Sequence, residues 1–488
     1  MSPQDAAIVA YDKLFIGGEW VEPASNATID TVSPFTEELV SRVPEGQPAD
    51  IDRAVAAARE AFDVGPWPRM APKERSAYLV RIREEVEKRL PEMIDLFTND
   101  IGTPAGAAVP FTENAVKMWN DASTLWERFA WEEPREWAEG SGYVVREPVG
   151  VAGVIIPWNA PVATASLKIA PALAAGCTVI LKPANEGAAE VMMLAEAIEA
   201  AGLPKGVFNV VPALPPVAEH LVSHPDVDKI TFTGSTAVGK RLMNLCSDRI
   251  ARITLELGGK SAAIIADDIP LDEVLPTLGF AGIGHSGQVC AAITRIVVPR
   301  ARQEEFVEAL KGLFESVKVG DPREPDTAIG PLVSKKQQER VLDYIAVGVD
   351  EGARLVTGGG VPEGLETGFY VQPTLFADVR NDMRIAQEEI FGPVVVVIPY
   401  DDLDEAVRIA NDSPYGLSGA VYAKDLELAD RIARRVRTGQ ISVNGWDMCV
   451  TQPFGGFKQS GLGREGNIEG LSAYLETKLV QGSSLAAA

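Results

Sequence analysis

Histidine is nearly missing from this chain. Three occur in 488 residues, His220, His224 and His285, and none stands in an HExxH or Cys/His ligand spacing, so no metal site is expected. Cysteine is as sparse. Cys177, Cys246, Cys290 and Cys449 lie far apart without a CxxC pair, which excludes a disulfide scaffold and fits a reducing compartment. Basic charge is in deficit, with 45 Lys and Arg against 69 Asp and Glu and a formal net charge of -24. A field of that sign repels nucleic-acid phosphates and anionic membranes. Long apolar runs are lacking too. Residues 161–181 come nearest, but Lys168, Pro171 and Gly176 interrupt them, and they read as a buried helix, a turn and a strand. Asp5 and Asp12 stand near the start, without a basic segment and apolar block, so no secretory signal is expected and the chain is read as cytoplasmic.

What is there is ordinary globular material. A hydrophobic share of 46% with 23% charged residues excludes wholesale disorder, collagen repeats and coiled coil. At roughly 150 residues per domain, the length implies two or three domains. From Gly150 onward, β-branched runs at 151–156, 178–182, 207–211, 229–232 and 253–256 alternate with helical stretches such as 188–201, ended by Gly202 and Pro204. That alternation builds a doubly wound parallel sheet. A second series follows Cys290, with strands at 295–298, 394–399 and 441–444 and helices near 304–317, 335–348 and 403–411. It reads as a second α/β domain. Helices are expected over 49–62 and 71–99 as well. Residues 136–148 read as a hairpin and 470–480 as a closing strand, edges of the kind that meet a partner subunit. A small tail follows Gly482.

Three local motifs carry chemical promise. In Thr231-Phe-Thr-Gly-Ser-Thr-Ala-Val-Gly239 a strand runs into Gly234, Ser235 and a helix starting at about Thr236. Such a turn lets backbone N–H groups and a helix N-terminus face a phosphate, and it serves packing alone equally well. In Leu255-Glu-Leu-Gly-Gly-Lys-Ser261 the carboxylate of Glu256 ends an apolar strand. Burial there raises a pKa and suits a general base, and an ion-paired strand end is the plainer alternative. In Gly287-Gln-Val-Cys-Ala-Ala-Ile-Thr-Arg295 the cysteine stands at a Gly-flanked turn. It is read as near a helix start, whose dipole favours the nucleophilic thiolate. Cys177, Cys246 and Cys449 read as inert fillers.

Seven motifs then follow one another in order: Ile156-Pro-Trp-Asn159, Leu181-Lys-Pro-Ala184, Phe232-Thr-Gly-Ser-Thr236, Leu255-Glu-Leu-Gly-Gly-Lys260, Gly287-Gln-Val-Cys290, Glu388-Glu-Ile-Phe-Gly-Pro393 and Pro453-Phe-Gly-Gly-Phe-Lys-Gln-Ser-Gly461. The match runs from Phe15-Ile-Gly-Gly-Glu-Trp20 to Gly463-Arg-Glu465, with Glu256 and Cys290 34 positions apart. On these residues the chain resembles the NAD(P)-dependent aldehyde dehydrogenase superfamily, of the hydrolytic and not the CoA-acylating type. The resemblance implies an α/β fold of two doubly wound parallel-sheet domains plus a small oligomerisation β-segment. Residues 8–128 and 150–257 would form the dinucleotide-binding domain, 258–458 the catalytic domain, and 129–149 with 459–488 the oligomerisation segment. It implies that Cys290 attacks the aldehyde carbon, that the Asn159 amide and the Cys290 N–H hold the oxyanion, and that Glu256 deprotonates the water that hydrolyses the thioester. Cofactor contacts carry over to Ile155, Ile156, Pro157, Trp158, Lys182, Asn185, Gly234, Ser235, Val238, Leu257, Gln337, Glu389 and Phe391.

Two departures stand out against the resemblance. Many relatives have Glu where Asn185 stands, a carboxylate that bonds the adenosine ribose and repels a 2'-phosphate; here Glu186 is adjacent instead. NAD is the expected cofactor, and NADP stays open. His285 replaces a common Asn, as a hydrogen-bonded loop residue or as a group that tunes the cysteine or touches substrate. Ala160, Thr164, Leu167 and Gly284, at tunnel positions of relatives, imply a roomy apolar passage with Trp446 and Phe454 as aromatic wall, suited to a medium or bulky aldehyde. A CoA-acylating dehydrogenase, a cofactor-independent cysteine esterase using His285, and an inactive structural relative are the competing readings. A homodimer or homotetramer is implied, without a nucleic-acid or membrane partner.

Overall fold

The computed structural model describes residues 8–482. Two extended sheets organise them. In the first, the strands run Gly461–Leu462, Arg252–Glu256, Lys229–Thr233, Val151–Ile155, Thr178–Lys182, Phe208–Val210, Leu14–Ile16 and Glu19–Val21 across the sheet. The five inner strands, from Arg252–Glu256 to Phe208–Val210, are parallel. Val151–Ile155 and Thr178–Lys182 are buried at every position, as the apolar runs Val151–Ile155 and Val179-Ile-Leu181 require of strands covered on both faces. Among the parallel strands, chain order starts at Val151–Ile155, moves outward through Thr178–Lys182 and Phe208–Val210, then returns to the other side at Lys229–Thr233. That reversal opens a crevice beyond the carboxyl ends of Val151–Ile155 and Lys229–Thr233, where open α/β sheets bind ligands.

The second sheet runs Arg354–Thr357, Thr374–Ala377, Val394–Tyr400, Ile293–Pro299, Ser261–Ile265, Gly419–Tyr422 and Ser442–Val443. All neighbours pair parallel except the first two. A third, antiparallel sheet joins Leu475–Gln481, Gly140–Pro148 and Glu132–Trp137. Both of its outer strands are edges.

Helices expected from periodicity appear at Pro48–Asp63, Pro72–Ile101, Ala188–Ala200, Gln303–Ser316, Lys335–Asp350 and Leu403–Asn411. The stretch 161–181 is the helix Pro161–Ala175, a turn at Gly176 and the strand Thr178–Lys182. Among the described residues no helix is long and apolar enough to cross a membrane. The structure also corrects the reading. The helix Ala105–Arg128 went unread because Pro104 and Pro110 look like breakers, yet one precedes it and the other lies in its second turn. The strand Ser261–Ile265, central to the second sheet, was hidden by the punctuation of Gly258 and Gly259 just before it. Residues 470–480 are the end of the helix Asn467–Ser472 followed by a strand. Leu471 and Tyr474 pack in the core of the first sheet, and Gly461–Leu462 pairs with Leu255 and Glu256. Of the span 459–488, the part in the third sheet is therefore Leu475–Gln481; residues 483–488 lie outside the described residues.

Candidate active site

The crevice is a cavity of about 520 Å³ that runs from the turns after the first sheet's strands to Cys290. Pro157 and Trp158 enter from the turn after Val151–Ile155, and Thr233, Gly234 and Ser235 from the turn after Lys229–Thr233. Ser235 caps the helix Thr236–Ser247, its hydroxyl accepting from Val238 N at 3.4 Å. The far wall comes from segments that pack beside the second sheet. Gln337, on the helix Lys335–Asp350, donates to the Phe391 carbonyl at 2.8 Å, and Arg340 donates to the Glu389 carbonyl at 2.7 Å. These bonds fix the turn so that the Phe391 ring meets Trp158 edge-on, at 5.5 Å between centroids. Leu257 and Glu389 complete the overlap with the residues expected to hold a cofactor.

Five of those expected residues lie outside the cavity wall. Ile155 and Ile156 point into hydrophobic clusters on opposite faces of the sheet, as alternation along a strand dictates. Val238 is exposed on its helix. Asn185 is not in the wall, and its carbonyl accepts from the Thr31 hydroxyl at 3.4 Å. Lys182 is buried at its strand end; burial lowers its ammonium to about 8, against the pull of the nearby Glu186 carboxylate. Glu186 does line the cavity.

Cys290 stands in the loop between the short turn Gly284–Gly287 and the strand Ile293–Pro299. No helix begins there, so the expected dipole assistance is absent and the expectation is corrected. Burial, then the charges of Glu389 and Glu256, push the thiol up to about 12. The glycine pair explains how the groups crowd together. A side chain at Gly258 would come within 2.3 Å of a Glu389 carboxyl oxygen, and one at Gly259 within 2.3 Å of the Cys290 carbonyl. Cys290, Phe111, Trp446, Met448 and Phe454 all pack against a small buried cluster of Val289, Ala291, Ala292 and Leu417. The Trp446 indole donates to the Ala291 carbonyl at 3.2 Å. Phe111, Trp446, Met448 and Cys449 also line a second cavity of about 340 Å³.

Glu256 ends its strand next to Leu257, and both carboxyl oxygens are buried without a protein partner. A side chain on Gly455 would come within 2.5 Å of one of them. Burial first, then the neighbouring Glu465 carboxylate, push Glu256 well above the usual carboxylate range. Asn159 follows the strand Val151–Ile155, and its side-chain amide donates to the Gln288 carbonyl at 2.8 Å. One amide N–H is used there and the second is left for another acceptor. The arrangement is a carboxyl group of raised pKa, a thiol and an amide donor, with the thiol in the wall of the crevice.

A family model described as the aldehyde dehydrogenase family matches residues 20–480. The chain belongs to the aldehyde dehydrogenase family. Geranial dehydrogenase of Castellaniella defragrans is 44% identical to this aldehyde dehydrogenase over 475 residues, 97% of this chain and 99% of that protein. A Mycobacterium tuberculosis aldehyde dehydrogenase complexed with NAD+ matches with a TM-score of 0.95 and 45% identity, covering 97% of this chain and 98% of that one. A mutant of aldehyde dehydrogenase C from Pseudomonas syringae, complexed with NAD+ and octanal, matches with a TM-score of 0.93 and 39% identity, covering 100% and 98%.

Sequence reading of this aldehyde dehydrogenase missed the buried pair behind Glu256. Lys168, in the helix Pro161–Ala175, bonds Glu465, and Thr231 links them: its hydroxyl accepts from Lys168 at 3.2 Å and donates to Glu465 at 3.2 Å. A lysine interrupting an apolar helix was the available signal, because a buried ammonium demands a carboxylate somewhere. Among the described residues no group of three or more His, Cys, Asp or Glu is placed to hold a metal ion.

Proposed function

We propose that this aldehyde dehydrogenase oxidises medium or bulky aldehydes to carboxylic acids with NAD, using Cys290, Glu256 and Asn159. The observation that carries the reading is the cavity that joins Trp158, Ser235, Glu389 and Phe391 to Cys290, with Glu256 close enough for its charge to act on the thiol. The crevice fits a dinucleotide. Ser235 and the helix N-terminus beside it suit a phosphate, and Lys182 and Glu389 suit ribose hydroxyls. NAD supplies the hydride acceptor when bound. Glu186, facing the cavity beside Lys182, supports NAD over NADP, since a carboxylate accepts from a ribose hydroxyl and repels a 2'-phosphate.

The chain's own groups then have defined tasks. Cys290 sulfur, once deprotonated, bonds the aldehyde carbon while the free Asn159 amide N–H and the Cys290 N–H stabilise the oxygen that becomes negative. After the C–H pair leaves as hydride, the acyl group is a thioester on Cys290. Glu256 takes a proton from water, the water oxygen bonds the acyl carbon, and the C–S bond breaks to release the acid. The high proton affinity of Glu256 suits that step. Octanal in the Pseudomonas syringae structure and geranial in the name of the Castellaniella enzyme support an extended apolar substrate. Gly284 adds support, because a side chain there would meet nothing within 4 Å.

The division into a dinucleotide-binding unit (8–128, 150–257), a catalytic unit (258–458) and an oligomerisation segment is part of the same reading, supported by the separate sheets. The edge strands of the third sheet support a homodimer or homotetramer. Four free cysteines support a reducing cytoplasm. The decisive experiment measures NADH formation with NAD and aldehydes of increasing chain length, and repeats it with Cys290→Ala. Turnover is expected to favour the longer aldehydes, and the variant to lose about a thousandfold or more while still binding NAD. Full activity in Cys290→Ala would overturn the assignment.

A further inference from the structure

His285 lies in the turn Gly284–Gly287 just before the nucleophile and is 2% exposed. Its Nε2 is 2.9 Å from the Asn159 main-chain carbonyl, and its Nδ1 is 3.2 Å from the Thr103 hydroxyl. A carbonyl only accepts, so Nε2 carries the proton. The neutral ring then has a bare Nδ1, which accepts from Thr103. Both nitrogens are thus committed away from Cys290. The ring packs against Phe97 at 5.7 Å and Phe111 at 5.2 Å between centroids.

The bonds close into a loop. Asn159 donates its amide to the Gln288 carbonyl at 2.8 Å, and Gln288 N donates back to the His285 carbonyl at 3.0 Å. Gln288 is anchored in turn by Val333 N, which donates to its side-chain oxygen at 3.0 Å. Asn159 is therefore held at both ends, main chain by His285 and side chain by the segment that carries His285. His285 and Ser286 have φ of 52° and 56°, a left-handed pair that non-glycine residues keep only where the surroundings enforce it. Ser286 is tied down by donating to the Gly330 carbonyl at 2.8 Å.

We propose that His285 is a positioning residue, a neutral imidazole that fixes the Asn159 loop so that the free amide N–H of Asn159 is aimed before the aldehyde arrives. The proposal rests on the reading of Asn159 as the oxyanion donor. It excludes His285 as the base of a cysteine hydrolase. Burial, which pushes the imidazole down to about 4, keeps it in the neutral form this geometry needs.

The test is a double-mutant cycle on the full chain with NAD and a turned-over aldehyde. Asn159→Ala alone is expected to lower kcat about a hundredfold. His285→Phe is expected to lower kcat about tenfold, with the KM for NAD within about threefold. In the Asn159→Ala background the same His285→Phe change is expected to cost less than about twofold. His285→Gln, which restores an N–H donor, is expected to recover most of the activity and serves if the Phe variant does not fold. The pH profile of Cys290 alkylation is expected to be the same in wild type and His285→Phe. Full activity in Asn159→Ala would overturn the oxyanion reading and this proposal with it. A tenfold loss from His285→Phe that persists without the Asn159 amide, or a shifted alkylation profile, would overturn the positioning role while leaving the oxyanion reading standing.

Discussion

At Cys290, burial and two carboxyl neighbours act in the same direction, and the thiol rises to about 12. At pH 7 the protonated form then dominates. Without NAD, alkylation of Cys290 by iodoacetamide is therefore expected to rise about tenfold per pH unit between pH 7 and 9, because the thiolate fraction grows by that factor below the pKa. Mass spectrometry, with exposed Cys449 as the accessible reference, reads it; a plateau below pH 8 would contradict the high pKa. The motif singled out Cys290 as the candidate nucleophile, but this proton affinity was not legible there. The Gly-flanked turn suggested a helix start at Cys290, but the chain runs on through a loop into the strand expected near 295–298, so the helix dipole is replaced by the charges of Glu389 and Glu256, both distant in sequence. Beside Asn185, which lies outside the cavity wall, Glu186 brings a carboxylate to the crevice. Glu186→Gln is expected to raise the NADP to NAD ratio of kcat/KM about tenfold by removing a like-charge contact, and an unchanged ratio would place cofactor selection elsewhere.

Between elements, the buried Lys168–Glu465 pair joins the helix Pro161–Ala175 to the loop ahead of Asn467–Ser472, under the strand Lys229–Thr233. Removing one partner strands the other charge in a dry interior. Glu465→Ala is expected to cost about 3 kcal/mol or more of stability, and Lys168→Met with Glu465→Leu to recover most of it, since an apolar pair needs no desolvation. Urea denaturation of the three proteins checks this; a double variant as unstable as the single one would refute it. Periodicity located the helices and inner strands of the first sheet because apolar alternation is a local property. It could not match Lys168 with a carboxylate 297 positions away, nor see that Pro104 and Pro110 start and tolerate a helix.

For the whole molecule, the third sheet leaves Leu475–Gln481 and Glu132–Trp137 as edges, with Leu479 51% exposed on the first. An apolar residue on an open edge suits a second copy, and Leu479→Arg is expected to reduce the mass in light scattering to that of one chain. An unchanged oligomer would put the interface elsewhere. Taken alone, the order of residues determined the α/β class and the seven motifs, and with them the candidacy of Cys290, Glu256 and Asn159, since each motif is written within a few consecutive positions. Only the tertiary structure decided that burial and two carboxyl neighbours raise the Cys290 thiol, that Glu256 is backed by Glu465 and Lys168, and that both His285 nitrogens serve Asn159 and Thr103. Those properties depend on burial and on charge and hydrogen-bond distances through space, and spacing along the chain does not encode them.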